Sequence, residues 1–324
     1  MIFIGEVQLN NFPIILAPME DVTDGGFRML CKNMGADVVF TEFVSSEGLI
    51  RDVERSNKKI LFNEKERPIG IQIFGNNEES MVKAAQIAEK ANPEFIDINW
   101  GCPVRKIAVK GAGAGILKDI PKMVSITQAI VKAVTLPITV KTRLGWDAKN
   151  ITIVDTAERL QDIGIKAITV HGRTKEQMYN GFADWAEISR VKENKRMIIP
   201  VFGNGDITSA AKALEIKTQY AIDGIMIGRG AIGNPWIFRE IKSLINEGKE
   251  FSPPSISERI DICKQHFIAS TLLKGERTAL FEMRPHYSSY FKGLPNFKPL
   301  RMRLVTADCY EKIEDILKEI SNIY

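Results

Sequence analysis

The chain has 324 residues, of which 44% are hydrophobic and 26% charged. That composition excludes a disordered chain and suits one large domain with a smaller one attached. The formal net charge of +4 permits a polyanionic partner without requiring one. The longest apolar runs, such as 197–202, are far too short to span a membrane. The N-terminus, Met1-Ile2-Phe3-Ile4-Gly5-Glu6, lacks the basic region and apolar stretch of a secretory signal. Four scattered cysteines (Cys31, Cys102, Cys263 and Cys309) form no CxxC pair. Together these features predict a reducing, cytoplasmic setting with no disulfide framework, no structural metal and no membrane attachment.

Short β-branched runs predict strands at 14–17, 38–41, 69–74, 95–99, 138–142, 167–171, 198–203 and 224–228. Amphipathic stretches fill the gaps, for example 78–91 and 153–163. The apolar runs do not alternate with polar residues, which suits parallel strands covered on both faces. Eight strand–helix units match a (β/α)8 barrel (TIM barrel), which takes about 250 residues. A doubly wound sheet usually carries a glycine fingerprint after its first strand. Here Ala17-Pro18-Met19-Glu20-Asp21 stands there instead, so the α/β barrel is the expected fold. Phe251-Ser252-Pro253-Pro254 after Gly248 reads as a linker. The expected domains are therefore 1–250, the barrel, and 251–324, a small all-helical domain whose first helix Ser257 would cap.

Barrel chemistry sits at the carboxyl ends of the strands, and almost every expected strand ends in a polar or special residue. Three clusters have a physical reason to be there. The first is Gly203-Asn204-Gly205-Asp206-Ile207 with Ile227-Gly228-Arg229-Gly230-Ala231. Glycines let backbone amides approach an oxyanion, and helices expected to start near Ile207 and Ala231 would favour a phosphate. Tight turns alone are the alternative. The second cluster is Lys141-Thr142-Arg143, whose residues 141 and 143 share a strand face. A lysine inside a barrel needs an electron-rich partner. Either a flavin edge or a strand carboxylate meets that need. In the third, Asn99-Trp100-Gly101-Cys102-Pro103, a stiff loop presents a cysteine just beyond a strand. The alternative is a small core residue. A proton-donating role requires a thiol still protonated at neutral pH, which an ordinary pKa of about 8.5 allows.

Only three histidines occur, His171, His266 and His286, without HExxH spacing, so a zinc hydrolase is not expected. From Arg284 to Arg303 the charged residues are Arg284, Lys292, Lys298, Arg301 and Arg303, interleaved with Tyr287, Tyr290, Phe291 and Phe297. Two readings stand: phosphate neutralisation with base stacking, or a solvated helix face over core aromatics. Further cations at Arg51, Arg55, Lys58, Lys59, Arg105, Lys106 and Lys110 favour RNA.

These motifs closely resemble the tRNA-dihydrouridine synthases, nearest the bacterial B-type subgroup. The resemblance runs from Ala17-Pro18-Met19 through Gln72, Asp97-Ile98-Asn99-Trp100-Gly101-Cys102-Pro103 and His171-Gly172-Arg173-Thr174. It ends in Met283-Arg284-Pro285-His286 and Lys292-Gly293-Leu294-Pro295. It implies a barrel holding FMN, reduced by NADPH or NADH, and a helical domain binding tRNA, in a protein expected to be monomeric. The implied cofactor residues are Pro18, Met19, Glu20, Gln72, Lys141, His171, Asn204, Gly205, Asp206, Gly228 and Arg229. Asn99, Arg143, Arg173, Arg284 and Lys292 would touch substrate, and Cys102 would donate the proton. Trp100 stands where methionine or a smaller residue is usual, and Glu20 where alanine is common in the B-type. The alternatives are a barrel reductase of a free pyrimidine and a non-catalytic RNA-binding protein.

Overall fold

The computed structural model describes residues 1–324. An antiparallel hairpin of β1 (Ile2–Ile4) and β2 (Val7–Leu9) comes first and has no counterpart among the expected strands. Parallel strands follow: β3 (Ile14–Leu16), β4 (Val39–Phe40), β5 (Val44–Ser45), β6 (Ile69–Phe74), β7 (Phe95–Asn99), β8 (Ile138–Arg143), β9 (Ala167–His171), β10 (Val201–Asn204) and β11 (Gly224–Ile227). They order as β3-β11-β10-β9-β8-β7-β6-β4, with β5 continuing beside β6. Pairing of Ile15 with Val38 joins the two ends of the sheet, where the Leu16 N–H donates to Val38 O at 2.9 Å. The result is the (β/α)8 barrel. The second strand differs from the expected continuous run, because β4 and β5 pair with successive parts of β6.

Strand alternation divides the residues between two cores. Ile69, Ile71, Ile73, Ile96, Ile98, Ile138, Val140, Ile168 and Val170 face outward, into the main core of 48 buried residues under the helices. A second core joins Ile15, Ala17, Val38, Phe40, Phe95, Ala167, Phe202 and Met226 inside the barrel. Ile4 and Leu9 of the hairpin belong to it, so the hairpin plugs the barrel's amino-terminal end. An apolar floor thus leaves only the carboxyl-terminal mouth for polar side chains.

The C-terminal region consists of helices Ile256–Lys274, Glu276–Glu282, Arg284–Tyr290, Lys298–Thr306 and Tyr310–Ile323 around a separate core of 18 buried residues. Ser255, not Ser257, caps the first of them, accepting the Glu258 N–H at 3.2 Å. Tyr287, Tyr290, Phe291 and Phe297 all lie in that core, so they are packing residues and not stacking platforms for bases. The helical region packs on the barrel through helix Gly25–Asn33. Phe27 of that helix stacks on His266 at 5.1 Å and meets His286 edge-on at 4.8 Å. No helix is long and apolar enough to cross a membrane.

Candidate active site

The inward positions next to the mouth carry Gln72 on β6, Asp97 and Asn99 on β7, Thr139, Lys141 and Arg143 on β8, His171 on β9 and Asn204 on β10. Their hydrogen bonds form an ordered chain. The buried Asp97 carboxylate accepts from Gln72 Nε2 and Thr139 Oγ1, each at 2.5 Å. A carboxylate can only accept, so Gln72 must present its amide nitrogen to it. Gln72 Oε1 then faces Asn99 and accepts from Asn99 Nδ2 at 2.9 Å. Asn99 Oδ1 accepts in turn from the Gly101 and Cys102 N–H groups, at 3.0 and 2.9 Å. The loop bearing the thiol is therefore oriented by a chain of bonds that begins at a buried carboxylate. Asp97 and Thr139 are not among the site residues expected from sequence. Their inward register was the available signal, with Asp97 opposite Gln72 and Thr139 opposite Asp97.

Cys102 is buried at this mouth, and burial pushes its thiol pKa up, outweighing the Val104 N–H, Arg143 and Lys141, which pull it down. Arg105 and Lys106 are not among the groups that set it. Arg143 braces the same loop, donating to Gly101 O at 2.7 Å, Thr174 O at 3.0 Å and Met178 O at 2.8 Å. Burial, with Arg143 nearby, lowers Lys141 to about 8. Burial raises Asp97 to about 6. Lys141 Nζ donates to Asn204 Oδ1 at 3.2 Å, and Asn204 Nδ2 donates to Met226 O at 2.7 Å. Trp100 points away from the mouth: it is fully buried in the main core, and its Nε1 donates to Thr127 Oγ1 at 3.1 Å.

At the other side of the mouth, Asp206 gathers two guanidinium groups, Arg173 at 2.7 Å and Arg229 at 3.3 Å. Arg173 also donates to Asn180 O and Gly181 O and contacts His171 Nε2. It is thus a strut at the Asp206 end, not a free substrate contact. Burial, reinforced by Arg143, Lys141, Arg173 and Arg229, drives His171 well below its ordinary pKa. No helix begins at Ile207 or Ala231. The helix after β10 is Ala210–Gln219, and residues Arg229–Ala231 form one 3-10 turn. Met19 lies against Gly228, where an added Cβ would meet its Sδ at 3.5 Å, and Pro18 is buried beside it. Glu20 pairs with Lys59, and with Arg55 at 3.7 Å. Glu20, Asp21 and Glu42 converge, but Lys59, Arg55 and Lys274 neutralise them. Arg284 lies over the Phe281 ring at 4.3 Å, and Lys292 is exposed on a turn, both well outside the barrel interior.

The sequence pattern of the family described as Dihydrouridine synthase (Dus) matches residues 15–321. A probable tRNA-dihydrouridine synthase of Rickettsia conorii is 40% identical over 93% of this chain and 90% of its own length. The tRNA-dihydrouridine synthase B of Pseudomonas putida is 36% identical over 99% of this chain and 92% of its own length. The chain belongs to the dihydrouridine synthase family. Solved barrels share the fold of this family member at low identity. A morphinone reductase variant matches with a TM-score of 0.54 and 13% identity over 79% of this chain and 92% of its own. A histamine dehydrogenase from Rhizobium matches with a TM-score of 0.55 and 15% identity over 82% of this chain, which spans 50% of that larger protein.

Proposed function

We propose that this chain reduces the C5–C6 double bond of uridines in tRNA to 5,6-dihydrouridine, using FMN with NADPH or NADH as reductant, in the cytoplasm. Residues 1–250 would form the catalytic barrel and 251–324 the tRNA-binding domain. The observation that carries the reading is a buried thiol, Cys102, held protonated at a cation-rich barrel mouth.

The residues present fit FMN. Lys141, Arg143, Arg173 and Arg229 surround His171, against the carboxylates of Asp97 and Asp206. The excess positive charge suits a phosphate dianion. Gly205, at φ 135 and with Ala183 2.5 Å from where a Cβ would stand, holds a turn beside Asp206 that other residues rarely adopt, and with Gly228 beside Arg229 it would bring backbone amides to that phosphate. Gln72, Lys141 and His171 would hold the rest of the cofactor, with Pro18, Met19 and Glu20 along the loop after β3. When bound and reduced, the flavin supplies the hydride for uracil C6.

The target uridine has to leave its stack to enter the mouth, at a cost of a few kcal/mol. Asn99 and Arg143 fix the loop that meets it. Negative charge building toward C5 is quenched by the proton on Cys102 Sγ. In this reading Cys102→Ala retains FMN and oxidises NADPH at the wild-type rate, while dihydrouridine formation falls at least about a hundredfold. Mass spectrometry of tRNA after incubation with each enzyme measures this. Full conversion by the variant would remove Cys102 from the acid role.

A further inference from the structure

A second pocket opens on the outer side of the loop that carries Cys102. It has a volume of about 540 Å³, and its lining includes Arg105, Lys118, Asp119, Lys122, Trp146 and Lys175. The Nζ atoms of Lys118 and Lys175 lie over the Trp146 ring, 4.1 and 4.2 Å from its centre. The indole therefore fixes two ammonium groups that would otherwise swing freely and repel. None of the four cations has a carboxylate within 4 Å, whereas Lys83 and Arg159, on the helices either side of Ile120–Ala133, are paired with Glu79 and Asp155. Asp119 is the one carboxylate in the lining, and it accepts the Lys122 backbone N–H at 3.1 Å as a helix cap. The pocket concentrates four positive charges against one carboxylate, which attracts a polyanion.

Its wall is continuous with the active site. The 3-10 turn Gly113–Lys118 donates the Ala114 N–H to Cys102 O at 2.9 Å. An added Cβ on Gly113 would stand 3.0 Å from Cys102 Cβ. Arg143, which holds Gly101, also holds Thr174 next to Lys175. We propose that this pocket binds backbone phosphates of tRNA beside the uridine reduced at Cys102, an assignment that rests on the tRNA-reductase reading above. A nicotinamide dinucleotide is the other phosphate-rich candidate. It fits less well, because Trp146 is the one aromatic ring in the lining and already carries the ammonium groups of Lys118 and Lys175.

The test uses the FMN-loaded enzyme and the double variant Lys118→Ala/Lys175→Ala, matched in flavin absorbance and melting temperature. Filter binding of tRNA that lacks dihydrouridine is measured against salt, and NADPH oxidation by dioxygen is measured without tRNA. The expected result is a tRNA Kd raised about tenfold and a salt slope reduced by about 2, with the rate and KM of NADPH oxidation unchanged. An unchanged tRNA Kd and slope, in a wild-type enzyme that makes dihydrouridine, overturns the pocket and leaves the reaction standing. A raised KM for NADPH with unchanged tRNA binding also overturns it, in favour of the dinucleotide. Wild-type enzyme that makes no dihydrouridine overturns the underlying reading, and this assignment with it.

Discussion

At the scale of single residues, the site depends on the polarity of one carboxylate. Asp97 accepts from Gln72, Gln72 accepts from Asn99, and Asn99 accepts from the Cys102 backbone. Asp97→Asn leaves one acceptor oxygen where two donors, Gln72 Nε2 and Thr139 Oγ1, converge, which weakens the hold on Gln72 and through it on Asn99. We expect tRNA reduction to fall between about ten- and a hundredfold, the usual effect of misplacing a reacting group by about an ångström. Asp97 is raised to about 6, so wild-type turnover should fall as pH drops through about 6 and the carboxylate gains a proton. The variant should lack that acid limb; retention of the same limb in Asp97→Asn would break the link. The thiol gives an independent check. Cys102 has a raised pKa, so at pH 7 it is an acid and a poor nucleophile. Brief iodoacetamide treatment followed by peptide mapping should leave Cys102 unmodified at pH 7. Rapid alkylation there would indicate a thiolate.

At the scale of elements, the two loops after β10 and β11 are locked together by close backbone approach. An added Cβ on Gly230 would come within 2.1 Å of Ile207 O, a backbone atom with little freedom to move. Gly230→Ala should push the loops apart, lower FMN affinity at least about tenfold and cost about 1–3 kcal/mol of stability. Flavin-fluorescence titration and thermal melting measure the two effects. Those loops were legible in the sequence because paired glycines after a strand signal a tight turn or a close backbone approach. The start of the next helix carried a signal that the expected start near Ile207 passed over: Ser209, a capping residue directly before Ala210, accepts the Lys212 N–H. The long strands β6, β7 and β9 were legible to the residue, because each is buried on both faces and flanked by turns. The hairpin β1–β2 was not, since three-residue strands carry too little pattern to read. Alternation correctly puts Lys141 and Arg143 on one face. That the Arg143 guanidinium would be taken up by three loop carbonyls is a tertiary fact with no sequence signal. The tail misleads for a related reason. Tyr287, Tyr290 and Phe291 recur at helical spacing, which marks a core face as readily as a binding face.

At the scale of the whole molecule, the helical region is joined to the barrel through buried neutral histidines. His286 Nδ1 accepts the Gly233 N–H at 3.0 Å, on the stretch that continues from the Gly228–Gly230 loop. His266 contacts the Tyr290 hydroxyl at 3.0 Å and stacks on Phe27. Burial lowers His266 to about 4 and His286 well below its ordinary value. As pH falls below the unfolded histidine value of about 6.5, the unfolded chain takes up protons that the folded chain refuses. Stability is therefore lost on the acid side. For His266 the shift is worth about 3 kcal/mol between pH 6.5 and 4. Asp97 works in the opposite sense: its raised pKa means the folded state binds the extra proton between about 4 and 6, an effect of similar size. His266 and Asp97 nearly cancel, and His286 and His171, both held well below the ordinary value by burial, tip the sum toward loss of stability in acid. The melting temperature of the cofactor-free protein should fall steadily from pH 6.5 to 4.5. In His266→Gln, with Asp97 no longer offset by that histidine, the fall should shrink or vanish. A melting temperature in the wild-type protein that rises over the same interval would mean that the histidines at the junction accept protons without parting the two regions.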